Sequence, residues 1–372
     1  MTTRRTRHLI RLTIPLAAAA LAAAAVATPA SALAGGAPRT PAAHNAVAAY
    51  MWWDDENTFP ANAVTEYSYN STGDLITINS SATGEYTVDF GGLASIAGSA
   101  IVQVTTYEDN HNCAVAGWGT GGGGGRLSAS VYCYTAAGAP VNSYFDLIVT
   151  RPTSAPHGTF DYSYVYKNSG RLTAYQYNSA HKENTVKHLG TGKYQVTLGG
   201  PKTTGTTGIA KVSAYGAEPG DCELVKWYGS ATGEIVDVDC YNVSHHAQNR
   251  NFMVTYASAS NLMGQNGFTT ANAFANGKST IYQPSIQYDS AHGARVTVVH
   301  YTTGYYEVVA VGSGGNVAEW GGDVQVNAVG SSGIHCVSDG WDPQTNPSLD
   351  VYCYGVHGNA ANSPFAIEWV VP

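Results

Sequence analysis

The chain has 372 residues, with 18 Lys and Arg against 26 Asp and Glu, a formal net charge of −8 at neutral pH. An acidic balance of this kind lacks the basic face that phosphate binding requires, which sets nucleic acid aside as a partner. The 42 Gly and 25 Tyr, with few charged residues, fit a turn-rich all-β protein.

In chain order, residues 1–34 read as an export signal. Arg4, Arg5, Arg7 and Arg11 form a basic start, Leu16 through Val26 is almost wholly Ala and Leu, and Ala30-Ser31-Ala32 or Ala32-Leu33-Ala34 offers a signal peptidase its small residues. Arg4-Arg5 is a twin-Arg pair without the rest of a Tat pattern, so the general secretory route matches better. Cleavage leaves 14 Lys and Arg against 26 acidic residues, a charge of −12. Residues 35–46 read as a flexible lead. No later stretch reaches the roughly 18 uninterrupted apolar residues of a membrane span. The expectation is a secreted, extracellular protein with no membrane span.

The rest of the chain repeats itself. Cys113, Cys222 and Cys336 are each followed five residues later by Trp118, Trp227 and Trp341. The second cysteines, Cys133, Cys240 and Cys353, stand 20, 18 and 17 residues after the first, and each precedes a Tyr: Tyr134, Tyr241 and Tyr354. Twelve residues later come Phe145, Phe252 and Phe365. Upstream, Gly84-x-Tyr86, Gly192-x-Tyr194 and Gly304-x-Tyr306 share one register, as do Tyr69-Asn70-Ser71, Tyr177-Asn178-Ser179 and Tyr288-Asp289-Ser290. Three modules follow, over 47–152, 153–258 and 259–372.

Within a module the period is that of strands. Tyr86, Val88 and Phe90 alternate with Thr87 and Asp89, and Leu127, Ala129, Val131 and Cys133 share one face. Turn residues such as Ser71-Thr72-Gly73, the glycine run 121–125 and Asp342-Pro343 separate the runs. The expected fold is all-β: three tandem β-sandwich-like, or small barrel, modules. Residues 150–156 and the small polar stretch 257–272 read as the boundaries. An even count of six Cys beyond an export signal predicts three disulfides. In module 1, a hairpin closed by the glycine run would set Cys113 opposite Cys133, a short loop stabilising by about 3 kcal/mol.

No catalytic string is present: no Gly-x-Ser-x-Gly, no His-Glu-x-x-His, no P-loop, and no thiol left over once three bridges form. What recurs is structural or aromatic, so an enzyme is not expected. The candidate ligand-binding set is Trp118 with Tyr134, Trp227 with Tyr241, and Trp341 with Tyr354. Tyr134, Tyr241 and Tyr354 face away from the inward Cys, with Tyr132 and Tyr352 on the same side. Each Trp, at odd spacing, would lie there too if its strand stays regular, giving a sugar-stacking platform in every module. The competing reading puts these aromatics in the core or under a neighbouring module. His245-His246 reads as a loop pair, Asp54-Asp55-Glu56 as a solvated turn. Asp339, Asp342, Asn346 and Asp350 have calcium-loop composition but the wrong ligand order. No metal or cofactor is expected.

Tyr50-x-Trp52, Tyr-Asn-Ser, Gly-x-Tyr-x-Val, Cys-x4-Trp, Val-x-Cys-Tyr and the Gly138, Pro140, Asn142, Ser143, Phe145 series together resemble repeat modules of secreted proteins from Streptomyces-type actinobacteria. The resemblance implies a bacterial, exported protein and no particular activity. Module 3 departs from it, with Phe274 where module 1 has Tyr and Trp. The function expected is a secreted non-catalytic binding or adhesion protein for carbohydrate or cell-envelope polymer. The alternatives are a surface scaffold or protease inhibitor, which would partner another extracellular protein, and a hydrolase with its site at a module junction.

Overall fold

The structure is a computed structural model that describes residues 46–54, 58–63, 67–152, 161–168, 171–200, 208–264, 268–290, 295–311, 322–342 and 346–371. The export signal, the lead up to residue 45, residues 153–156 of the first boundary, Asp55, Glu56 and Pro343 lie outside them. The first repeat contributes β1 (Ala46–Trp53), β2 (Ala61–Asn62), β3 (Ser68–Asn70), β4 (Ile76–Ala82), β5 (Glu85–Gly91), β6 (Ile101–Tyr107), β7 (His111–Thr120), β8 (Arg126–Thr135) and β9 (Tyr144–Pro152). The second contributes β10 (Asp161–Asn168), β11 (Arg171–Asn178), β12 (Asn184–Gly190), β13 (Lys193–Gly199), β14 (Gly208–Tyr215), β15 (Gly220–Gly229), β16 (Gly233–Asn242) and β17 (Asn251–Ser258). The third contributes β18 (Thr269–Ala275), β19 (Ile281–Tyr282), β20 (Gln287–Asp289), β21 (Val296–Thr302), β22 (Tyr305–Ala310), β23 (Asp323–Ala328), β24 (His335–Asp342), β25 (Ser348–Tyr354) and β26 (Phe365–Val371). The described residues are all-β, with a short 3-10 turn at Ala94–Ile96 among them.

Each repeat builds the same pair of strand sets. In the first, β3-β1-β9-β6 is one and β2-β4-β5-β8-β7 the other. The second repeats this as β11-β10-β17-β14 and β12-β13-β16-β15, the third as β20-β18-β26-β23 and β19-β21-β22-β25-β24. Alternation buries one face: Tyr86, Val88 and Phe90 are buried while Thr87 and Asp89 are half-buried. The two sets meet where the recurring Tyr of one packs on the recurring Phe of the other. Ring centroids lie 5.2 Å apart for Tyr86 and Phe145, 5.1 Å for Tyr194 and Phe252, and 5.0 Å for Tyr306 and Phe365.

The other repeat landmarks have equally local reasons. Gly84, Gly192 and Gly304 all take positive φ, and a Cβ there would lie 2.5–2.6 Å from the carbonyl oxygen of Cys133, Cys240 or Cys353. The same glycine carbonyls accept the N–H of those cysteines at 2.8 Å. A larger residue fits neither the dihedral nor the space. The side chain of Asn70 donates to Gly91 O at 2.9 Å and that of Asn178 to Gly199 O at 2.8 Å, so two of the Tyr-Asn-Ser-type segments tie one strand set to the other.

Three disulfides join Cys113 to Cys133, Cys222 to Cys240 and Cys336 to Cys353, each with Cα atoms 4.0 Å apart. In every case the two Cys are direct partners across an antiparallel hairpin.

The sets continue from one repeat into another. β7 of the first repeat runs parallel to β14 of the second, β24 of the third runs parallel to β6 of the first, and Leu224 on β15 bridges Val329 just past β23. Three equivalent backbone hydrogen bonds mark these junctions: Gly216 N to Val115 O at 3.0 Å, Glu108 N to Ser338 O at 2.6 Å, and Gly330 N to Leu224 O at 2.7 Å. Second joins first, first joins third, and third joins second, so the head-to-tail contacts close into a pseudo-threefold ring. β6, β14 and β23 approach one another along its axis.

Residues 42–372 accordingly form one compact unit. At the boundary between the second and third repeats, Ala257 belongs to β17, 269–272 belong to β18, and Leu262 and Met263 between them are buried.

Candidate functional site

The expected Trp and Tyr platform is not assembled, and the reason is a β-bulge. The pairing of β7 with β8 slips between Val115 and Gly117, that of β15 with β16 between Leu224 and Lys226, and that of β24 with β25 between Ser338 and Gly340. One extra residue between Cys and Trp reverses the parity that a regular strand would give. Trp118, Trp227 and Trp341 therefore sit across from Ala129, Val236 and Leu349, on the disulfide's face, while Tyr134, Tyr241 and Tyr354 stay on the other.

Each indole packs against the next repeat in the ring. Trp118 lies 5.3 Å from Tyr166, 5.3 Å from Tyr175 and 5.6 Å from Tyr215. Trp341 lies 5.8 Å from both Trp52 and Tyr107, and Trp227 lies 5.5 Å from Phe274. Tyr134 and Tyr241 are buried: the Tyr134 hydroxyl donates to Ala217 O of the second repeat, and the Tyr241 hydroxyl donates to Asp239 at 3.4 Å. Tyr354 is half-buried against His335. Among the described residues, an aromatic stack with an exposed end lies in the third repeat: Tyr301, 53% exposed, stacks on the half-buried Tyr305, which stacks on Tyr352 at 4.6 Å.

What the repeats do not share points to a different place. In the first repeat the chain between β1 and β3 covers one mouth of the sandwich: Phe59 packs 5.4 Å from Trp53 and 5.8 Å from Tyr86, and β2 pairs with β4. In the third repeat the chain between β18 and β20 does the same. There β19 pairs with β21, and Tyr306 donates to Gly277 O at 3.2 Å. In the second repeat β10 and β11 pair directly as a hairpin, with Asn168 opposite Arg171, so no such segment runs between them. The mouth stands open as a cleft of about 630 Å³ lined by Lys167, His188, Tyr194, residues 215–218 and residues 249–251. This volume falls in the range of ordinary ligand sites, about 300–1,000 Å³.

The cleft carries substitutions found in neither other repeat. Pairing across from the recurring Phe places Lys167 where the others have Trp53 and Ala275. Arg250, two residues before that Phe, replaces Ser143 and Ser363. Lys167 is 3% exposed, donates to Arg250 O at 2.6 Å, and lies 4.3 Å from the centroid of the Tyr194 ring. Burial pushes its ammonium down to about 8. The Asn249 side-chain oxygen accepts Gly192 N at 2.8 Å and the Tyr194 hydroxyl at 3.2 Å, and lies 3.0 Å from His188 Nε2. His188 stacks on Tyr194 at 5.1 Å. Arg250 donates to Pro219 O at 2.9 Å and to Glu218 O, which holds the 216–219 turn as one wall.

Sequence reasoning missed all of these residues because it searched for what recurs. Two signals were available: His188 and His300 both stand six residues before the Tyr of Gly-x-Tyr, and Lys167 and Arg250 are departures at otherwise matching positions.

A second polar cluster lies on the ring axis. Lys211 is buried and donates to Thr105 Oγ1 at 2.8 Å, Thr105 donates to Gln325 at 2.9 Å, and Gln325 donates to Asp323 at 2.9 Å. Burial lowers Lys211 to about 7 despite the attraction of Asp323, Asp146 and Glu368, and it raises Asp323 to about 7 and the other two well above the carboxylate range. The adjoining axial cavity is about 60 Å³ and is lined by Asn112, Asp221 and His335, the residues just before the first Cys of each repeat. It has room for a water or two, not for an organic ligand.

Among the described residues no group of three or more His, Cys, Asp or Glu is arranged to hold a metal ion. His245 is half-buried with Nδ1 unpartnered, and His246 is exposed. Compared with family models, curated proteins and solved structures, the chain matches none.

Proposed function

We propose that this is a secreted, non-catalytic binding protein that holds a carbohydrate or cell-envelope polymer in the cleft of the second repeat. The observation that carries the reading is the uncovered mouth: two repeats close it with their own chain, and the second leaves it open between aromatic rings and polar side chains. Sugars are bound by such mixtures of ring faces and planar hydrogen-bonding groups. Export is supported by three disulfides, which persist in oxidising compartments. No helix among the described residues is long and apolar enough to cross a membrane. The resemblance to exported actinobacterial repeats supports a bacterial source.

Retention of the mature protein on envelope and plant polysaccharides tests the proposal. His188→Ala, an exposed side chain, is expected to weaken retention without lowering the melting temperature. Retention on no polymer, or retention indifferent to this change, sinks it. The alternative of an interaction protein draws on the Tyr301, Tyr305 and Tyr352 stack, whose Tyr301 end is exposed. The hydrolase alternative places its site at a module junction, away from this cleft, whose lining residues, from Lys167 to Asn251, all belong to the second repeat.

A further inference from the structure

We infer that the second-repeat cleft selects an acidic sugar, taking the carboxylate of a uronic acid residue on the Lys167 ammonium. This rests on the carbohydrate reading above and narrows it to a ligand class.

The argument is an inventory of donors and acceptors. An ammonium has three N–H groups. One of Lys167's goes to Arg250 O, and the Tyr194 ring faces the charge on one side. Among the described residues Lys167 has no carboxylate partner, while the four ion pairs that do form lie elsewhere. Its remaining donors belong to the cleft it lines.

The Asn249 oxygen is committed to Gly192 N, Tyr194 and His188, which orients the amide so that its NH₂ is left for a ligand. Arg250 adds a second positive charge while its N–H groups hold Pro219 and Glu218. The cleft thus offers donors and positive charge, and the Asn249 oxygen among its acceptors is already used.

Such a site favours an acceptor-rich, negatively charged group, and charge-assisted hydrogen bonds are the strong kind. The convergence of two cations is notable in a chain with 18 Lys and Arg against 26 acidic residues. Glu218, exposed at the rim, repels a densely charged polyanion. One carboxylate set among sugar hydroxyls satisfies both the cations and this rim.

The test is calorimetry of the mature full-length protein against oligomers of hyaluronan and of glucuronoxylan, whose uronic acids are spaced by neutral sugars, each beside its carboxyl-reduced neutral form. An acidic oligomer should bind at least about tenfold tighter than its reduced partner. Lys167→Met should remove that preference, so that an acidic oligomer and its reduced form bind it alike. Raising the pH from 7 to 9.5 should weaken acid binding in the native protein and not in Lys167→Met. That comparison isolates Lys167 from His188, Tyr194, Tyr215, Glu218 and Arg250, which also face the cleft.

Equal affinity for an acidic oligomer and its reduced form overturns the inference and leaves the carbohydrate reading standing. A preference that survives Lys167→Met overturns it as well. Binding to no oligomer and to no polysaccharide removes both. If Lys167→Met fails to fold, the ligand pairs and the native pH profile decide alone.

Discussion

Gly192 shows how much one position can carry. Its φ of 70° and the Cys240 carbonyl 2.5 Å from any added Cβ make Gly192→Ala a double insult, dihedral and steric. We expect a loss of about 2 kcal/mol or more in urea unfolding. Gly119→Ala, where a Cβ meets nothing within 4 Å, should stay within about 0.5 kcal/mol. At this scale the sequence was readable wherever a residue recurred. The Tyr86 and Phe145 pair, the glycine before it and the cysteines all had visible counterparts in three copies. Lys167 and Arg250 were not readable, because a charge that appears once looks like ordinary surface variation until the missing cover is seen.

Strands were legible from alternation, and the hairpin that sets Cys113 opposite Cys133 followed from the glycine run. The bulge before each Trp was not. It adds one residue without leaving a turn signal, and a period-two argument carried through it inverts every later side chain. The three Trp thereby changed from expected ligand contacts to the adhesive between repeats. Trp341→Ala, remote from the cleft, should cost about 2 kcal/mol through lost contacts with Trp52 and Tyr107 while ligand affinity at low temperature stays unchanged. A thermal melt paired with a binding isotherm checks both halves. Replacing the Asn168 to Arg171 turn with the first repeat's 54–67 segment should close the cleft and abolish binding; retained binding would place the ligand elsewhere.

For the molecule as a whole, pH is the informative variable. Burial raises Asp323 to about 7 and Glu223 to about 8, and holds Asp146 and Glu368 well above the usual range. The folded state therefore keeps protons that the unfolded chain releases above roughly pH 4. Their stabilising contribution is fully present below that pH and is lost as pH rises through about 7 to 8. His335, lowered to about 4, opposes this where an unfolded His would still be charged, up to about 6.5. Lys211, lowered to about 7, regains stability for the fold only above that value. The melting temperature should accordingly be lower at pH 7.5 than at pH 5.5, by roughly 5 °C. A flat or rising profile would mean that the buried carboxylates are ionised in the fold. Three copies could be counted in the sequence; their closure could not, since the junction bonds at Val115, Leu224 and Ser338 are made by backbone and leave no mark on residue choice.

That closure has a consequence for how the chain is threaded. Ala46 pairs with Pro152, Asp161 with Ser258, and Thr269 with Val371, so every repeat begins beside the place where it ends. The chain already steps from 152 to 161 and from 258 to 269, and the pseudo-threefold arrangement makes the step from 371 to 46 the third of the same kind. A permuted chain starting at residue 153 and joining 371 to 46 through a linker of about ten residues should fold to the same ring with the same cleft, whereas a fourth copy would find each junction already made, β7 with β14, β24 with β6 and β15 with the chain just past β23.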